Sequence, residues 1–252
     1  MSNRSYKWKP DLPDHRDRAF SLSAAEALPT FVEPLGSTDK VEDQGQLGSC
    51  TGNSTTTALE ISLKTSTQYS RLMAYYNGRL IENNVKNDDG AMIRDVIKGV
   101  QTYGVAAETS WPYNIAKFAR KPTVAAYKNA KKVLPLLASY ERLTTVTDIK
   151  TALAAGLGVV FGFSVPEFFE GQDVATTGWV RLPTKADKMV GGHAVCAIGY
   201  DERNADGKGS FIWVRNSWGT SWGLNGNFKM PYGWFTAPGR LVDDIWVMHP
   251  KV

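Results

Sequence analysis

The order of two periodicities along the chain constrains its fold more than any other feature. In residues 50 to 103 apolar side chains recur at helical spacing, and beyond about residue 132 they alternate or run in short blocks. The first stretch predicts three helices. One covers residues 50 to about 65. A second covers 70 to 82, with Ser70 as N-cap and Leu72, Tyr75, Tyr76 and Leu80 on one face. The third covers 93 to 103 and stops at Gly104. The second stretch predicts a buried strand at 159–163, strands at 193–199, 211–214 and 228–230, a short closing strand at 246–248, and one helix at 146–155. Helices first and strands later describe an α+β protein with a helical lobe and a β-rich lobe. The first helix begins Thr51-Gly52-Asn53-Ser54-Thr55-Thr56-Thr57, a run of poor helix formers. Its side chains are small, so close packing against a neighbouring lobe can override propensity.

A chain of 252 residues with 42% hydrophobic and 11% aromatic content can bury a core as one two-lobed domain or two small ones. Two cysteines exclude a disulfide framework, so packing must hold the fold. A net charge of +4 with both signs interspersed is too mild for a nucleic-acid partner, and Asn129-Ala130-Lys131-Lys132 reads as a solvated face. The polar start Met1-Ser2-Asn3-Arg4-Ser5-Tyr6-Lys7-Trp8-Lys9-Pro10 has no signal-peptide core, and no run of apolar residues has membrane-spanning length. The expected location is therefore cytoplasmic, or outside the cell by a non-classical route. Residues 1–27 form a polar lead-in, where Pro10, Pro13 and Asp14-His15-Arg16-Asp17-Arg18 favour extended structure. Scattered histidines, with no HExxH or CxxC, give no metal site, and no glycine-rich phosphate loop occurs.

Three blocks carry chemistry. Gln44-Gly45-Gln46-Leu47-Gly48-Ser49-Cys50 places a thiol at the start of a helix, where the dipole favours an anion. Gly191-Gly192-His193-Ala194 places an imidazole on a strand behind two glycines that let another backbone approach. Asn216-Ser217-Trp218-Gly219 supplies an amide able to orient that imidazole. Such groups need to meet only in space. Cys196, three residues after His193, points to the other face of its strand and reads as a small buried apolar residue.

These blocks, with Ser70-Arg71-Leu72-Met73-Ala74-Tyr75-Tyr76-Asn77, Gly90-Ala91-Met92-Ile93-Arg94-Asp95 and Trp111-Pro112-Tyr113, resemble the papain-like cysteine peptidases, family C1, in their disulfide-poor microbial branch. The resemblance runs from about residue 28 to 249. Leu47 and Thr51 depart from the family's usual residues around the nucleophile. The resemblance implies a papain-like two-lobed fold: an N-terminal extension at 1–27 and a peptidase domain at 28–252, with a helical lobe at about 38–135, a β-rich lobe at about 136–249 and the site in the cleft between them. It implies a cysteine endopeptidase, a thiol protease and hydrolase acting through an acyl-enzyme, with no cofactor. Cys50 is the implied nucleophile, His193 the base and acid, Asn216 the orienter and Gln44 an oxyanion donor beside the Cys50 N–H. Gly48, Gly90, Gly192, Ala194 and Trp218 are the implied substrate-binding residues, Gly90 taking substrate backbone and Ala194 flooring a side-chain pocket. The expected partner is a protein or peptide substrate, without nucleic acid or membrane, and the expected state is a monomer. Two alternatives stay open: an acyl transferase or transpeptidase using the same dyad, and a non-hydrolytic peptide-binding protein. The family's long helical propeptide has only about 27 residues as counterpart here. The segment from Tyr6 to Phe20 either covers part of the cleft as a short inhibitory segment or stitches the lobes together.

Overall fold

The computed structural model describes residues 5–22, 27–36, 41–205 and 207–251. Parts of the expected extension, residues 1–4 and 23–26, and the first residues of the expected helical lobe, 38–40, lie outside the described residues. In chain order the elements are β1 (Trp8–Lys9), β2 (Phe31–Val32), α1 (Cys50–Ser62), α2 (Arg71–Ile81), β3 (Ala91–Met92), α3 (Ile93–Tyr103), α4 (Val124–Ala130), β4 (Leu137–Arg142), α5 (Val146–Ala154), β5 (Val159–Pro166), α6 (Gln172–Thr177), β6 (Met189–Asp201), β7 (Phe211–Arg215), β8 (Asn227–Pro231), α7 (Gly233–Thr236) and β9 (Val242–Pro250). Helices gather before Ala130 and strands after Leu137, giving the two-lobed α+β fold.

Small residues decide how α1 sits. A Cβ on Gly52 would stand 2.6 Å from the Arg71 carbonyl oxygen and 2.8 Å from Tyr75 Cβ, so α2 crosses α1 at that glycine. The threonines of the first turns are buried, and Thr56 Oγ1 donates to the Gly52 and Asn53 carbonyls. Tertiary packing thus overrides weak propensity. α1 ends at Ser62, short of residue 65, because Lys64 takes φ +49° and its N–H turns back to Ile61 O. The Ser70 side chain accepts from Met73 N–H as the N-cap of α2, and Gly104 at φ +74° ends α3.

The large sheet has the order β4-β9-β5-β6-β7-β8, with β2 also on β6, and every pairing in it is antiparallel. Partners on both sides extend β9 well beyond the expected 246–248. β4, α4 and α6 were not legible, since none shows a clean period in its few residues. Alternation along the central β6 divides two cores. Ala194, Cys196 and Ile198 face Leu59, Leu72 and Val96 of the helical lobe; Val195 and Ala197 face Phe161, Phe163 and Phe228. The N-terminal arm spans both lobes. Its β1 pairs in parallel with β3, Asp11 N–H reaches Asp244 on β9, and Ser21 reaches Glu141 on β4. No helix among the described residues is long and apolar enough to cross a membrane.

Candidate active site

Cys50 opens α1 on one wall of the groove between the lobes, and His193 projects from β6 on the other; both are fully buried. The N–H groups of Ala194 and Lys7 lie against the Cys50 sulfur. Burial pushes this thiol up to about 11, and those N–H groups, with the N–H groups of Thr51 and Cys50, pull against the rise. His193 stacks on Trp218, ring centroids 5.3 Å apart at 29°, with Phe163 edge-on at 5.9 Å.

The imidazole is fixed through Asn216. His193 Nε2–H donates to Asn216 Oδ1 at 2.8 Å, and Ser217 N–H donates to the same oxygen at 2.9 Å. A carbonyl oxygen only accepts, so the proton of the neutral ring sits on Nε2 and the lone pair on Nδ1. Gln44 is held by the same block. Its Oε1 accepts from Ser217 Oγ at 2.6 Å, and its Nε2 donates to Leu47 O at 2.9 Å. One Nε2 hydrogen is thereby engaged and the amide plane is set. Ser217, passed over in the sequence, is therefore the residue that ties the Gln44 loop to the Asn216 strand end. Its place inside the Asn-Ser-Trp-Gly block was the only signal.

The glycines line a channel occupied by the chain's own arm. Gly90 has φ +78°, and a Cβ there would stand 1.5 Å from the Lys7 carbonyl oxygen. A Cβ on Gly48 would meet the Lys7 side chain at 2.7 Å, and one on Gly192 the Trp8 ring at 2.7 Å. Gly162, unremarked in the sequence, lies under the Trp8 indole, where a Cβ would stand 2.1 Å from the ring, and its register partner is Ala194. Ala194 thus borders the pocket that Trp8 fills. Trp218 sits over His193 and meets the Tyr6 ring edge-on at 6.1 Å. All nine residues singled out from the sequence therefore lie along one groove, and residues 6 to 9 run through it. A hollow of about 650 Å³ opens elsewhere, beside Pro13, Arg142, Trp234 and Arg240. Among the described residues no set of three His, Cys, Asp or Glu side chains could hold a metal ion.

The arm is gripped by carboxylates. Tyr6 OH donates to Glu170 in the turn after β5, and Lys7 Nζ reaches Asp88 Oδ2 at 3.2 Å. Trp8 Nε1–H donates to Asp244 Oδ2 at 3.2 Å, and Lys9 Nζ to Glu82 Oε2 at 3.2 Å. Asp11 lies half-buried beside Asp244 and accepts from Trp246 Nε1 at 2.8 Å and Arg94 N–H at 3.2 Å. Burial, then the Asp244 charge, raises Asp11 to about 7. No local pattern marks these acids in the sequence.

A family model described as papain family cysteine protease matches residues 33–236. The chain is 44% identical over 244 residues to the uncharacterized peptidase C1-like protein L477 of Acanthamoeba polyphaga mimivirus, covering 92% of this chain and 74% of that protein. It is 29% identical to cysteine proteinase 3 of Entamoeba histolytica, covering 82% of this chain and 64% of that enzyme, less than two thirds of its length. Among solved structures it is similar to xylellain, a cysteine protease from Xylella fastidiosa, with a TM-score of 0.87 at 33% identity over 100% of this chain and 98% of that one. A procathepsin L2 of Tenebrio molitor larval midgut, at 20% identity and a TM-score of 0.74 over 100% of this chain and 79% of that one, shares the fold. With the family model and a close relative matching nearly all of the chain around this groove, the protein belongs to the papain family of cysteine peptidases.

Proposed function

We propose that the chain hydrolyses peptide bonds through a thiolate–imidazolium pair at Cys50 and His193, and that residues 6 to 9 hold it latent. The arrangement around His193 supports the first part. With its proton on Nε2, the ring takes the Cys50 proton at Nδ1. The N-terminus of α1 and the resulting imidazolium both favour the thiolate. The thiolate attacks the substrate carbonyl carbon, and the oxyanion receives the Cys50 N–H and the second Gln44 amide hydrogen. His193 then gives its proton to the leaving amine. Water, deprotonated by the same ring, releases the acid from the acyl-enzyme.

One observation carries the second part: the arm lies on the nucleophile and is not laid out as a substrate. The Lys7 N–H lies against the sulfur, while the Lys7 carbonyl oxygen is turned toward Gly90. The leaving amine of a cleavable peptide belongs on the His193 side, C-terminal to the attacked carbonyl. Here Tyr6, N-terminal to Lys7, packs against His193 and Trp218. The arm therefore runs opposite to a productive peptide, which would lie antiparallel to β3, where β1 is parallel. Burial that keeps the thiol protonated is a consequence of the same cover.

Alkylation of the full-length protein with iodoacetamide or a peptidyl epoxide near pH 6, read by intact mass, tests the pair. The expected result is one slow adduct at Cys50 that His193→Ala abolishes; equal rates in both proteins would remove His193 from the mechanism. Products of a cleaved peptide should end in free carboxylates even with added amine. Amide products would assign acyl transfer instead.

A further inference from the structure

The four arm residues in the groove have a common feature that latency does not require. Tyr6, Lys7, Trp8 and Lys9 are consecutive, and each directs an O–H or N–H donor to a different carboxylate: Glu170, Asp88, Asp244 and Glu82. These acids come from four separate parts of the chain: the turn after β5, the loop before β3, the strand β9 and the C-terminus of α2. The arm only borrows them, because the walls of the groove hold three of them by other bonds. Asp88 accepts from Gly48 N–H at 3.0 Å and Tyr75 OH at 2.6 Å, Glu82 from Met92 N–H at 2.7 Å, and Asp244 from Arg142 at 3.0 Å.

We infer that the cleft selects basic polypeptide segments, with Lys or Arg side chains at and before the cleaved bond. This rests on the peptidase reading above. When the arm leaves, the walls keep their acids in place while the arm's donors go. An aliphatic or acidic side chain entering there would leave a carboxylate with one donor fewer than the docked arm gives it, and a cation or N–H donor restores that partner. The pocket vacated by Trp8 is floored by Gly162 and Gly192, which admit a flat side chain, and ends at Asp244 Oδ2. That shape and charge suit Arg, whose guanidinium is planar and donates through several N–H groups. Beside Cys50, Asp88 stands where a Lys or Arg at the cleaved bond would reach it; beyond the pocket, Glu82 offers the same one residue further on. The groove is thus acidic although the whole chain carries net charge +4. Its local field draws basic segments to the nucleophile.

The test uses the full chain carrying Trp8→Gly, which empties the pocket, with Lys7→Glu as an independent way to expel the arm. Peptides of one sequence, varied to Arg, Lys, Leu, Phe or Glu at the two positions before the scissile bond, are compared by kcat/KM. The same set is measured for binding by fluorescence anisotropy after adding Cys50→Ala. Arg and Lys peptides should exceed Leu and Glu peptides at least about tenfold, and Asp88→Asn should lower the basic-to-Leu ratio at the position next to the scissile bond about fivefold, the scale of one partly exposed charge pair. Equal rates for basic and Leu peptides, or a ratio unmoved by Asp88→Asn, would overturn the selectivity and leave hydrolysis standing. Selective binding of basic peptides without cleavage by the Cys50-containing chain would uphold it and overturn hydrolysis.

Discussion

Replacing Trp8 by Ala should open the groove by one to two orders of magnitude. Full burial of an aromatic side chain yields about 2–3 kcal/mol, and the half-buried Trp8 about half of that. Its N–H bond to the Asp244 carboxylate adds about 1 kcal/mol, because a charged acceptor is left with fewer donors. The sum, about 2–2.5 kcal/mol, corresponds to roughly 30- to 70-fold in the equilibrium between covered and open groove. If opening precedes a slower chemical step, the alkylation rate of Cys50 follows that equilibrium directly. The assay is the second-order rate of iodoacetamide modification at fixed pH, wild type beside Trp8→Ala, followed by peptide mapping. Cys196 is the internal control: it is fully buried on β6, and burial pushes its thiol up to about 12, so it should stay unmodified in both. A change below about threefold at Cys50 would refute the reasoning, because the indole would then not be what holds the arm down. Modification of Cys196 in the variant would show general loosening instead of arm release.

Three further outcomes follow from particular contacts. Asn216→Ala should lower kcat/KM about 100-fold in an arm-released background, since the His193 ring loses the acceptor that fixes its plane and tautomer; a purely structural role for Asn216 would instead lower Tm with kcat/KM intact. Asp11 in the docked arm is raised from 3.8 to about 7 by burial and by Asp244, against the opposing influence of Trp246 and Arg94, with Arg142 and Asp243 on the far side of Asp244. A raised carboxylate favours docking while protonated, so its contribution is full below about pH 4 and is lost as pH rises through about 7. Cys50 alkylation in the wild type, normalised to Trp8→Ala at each pH, should therefore climb between pH 4 and 7, and Asp11→Asn should flatten the climb. Gly52→Ala should destabilise the protein by about 1–3 kcal/mol despite better helix propensity, because the new Cβ meets the backbone of α2; thermal unfolding would register this as a Tm several degrees lower.

Much of the site was legible in the sequence because its groups are local by nature. A thiol at a helix start, a histidine on a strand behind glycines, and an Asn-Ser-Trp-Gly turn each carry their meaning within a few residues. The structure brings Cys50, Gln44, His193 and Asn216 to one groove without moving any of them from the expected element. α2 and α3 were equally readable, since Ser70 caps one and Gly104 ends the other. β4 was not, because a short edge strand takes its shape from β9, more than a hundred residues away in sequence.

The lead-in shows where sequence stops. Pro10, Pro13 and the charge run determine that it is extended, and Trp8 suggests that it packs against something. Whether it covers the cleft or ties the lobes together depends on contacts at sequence distances from 73 to 236 residues, and the structure has it do both. The four acids that grip it are ordinary surface-type residues in isolation. Only the tertiary fold gathers them on one groove, since the sequence fixes neither the distance between carboxylates from different elements nor their loss of solvent. The sequence by itself determined the chemistry available to this chain: which residues can exchange a proton and attack a carbonyl. The tertiary structure decided what reaches that chemistry, because access depends on which surfaces lie within a few ångströms of Cys50, a property of packing that no local pattern encodes.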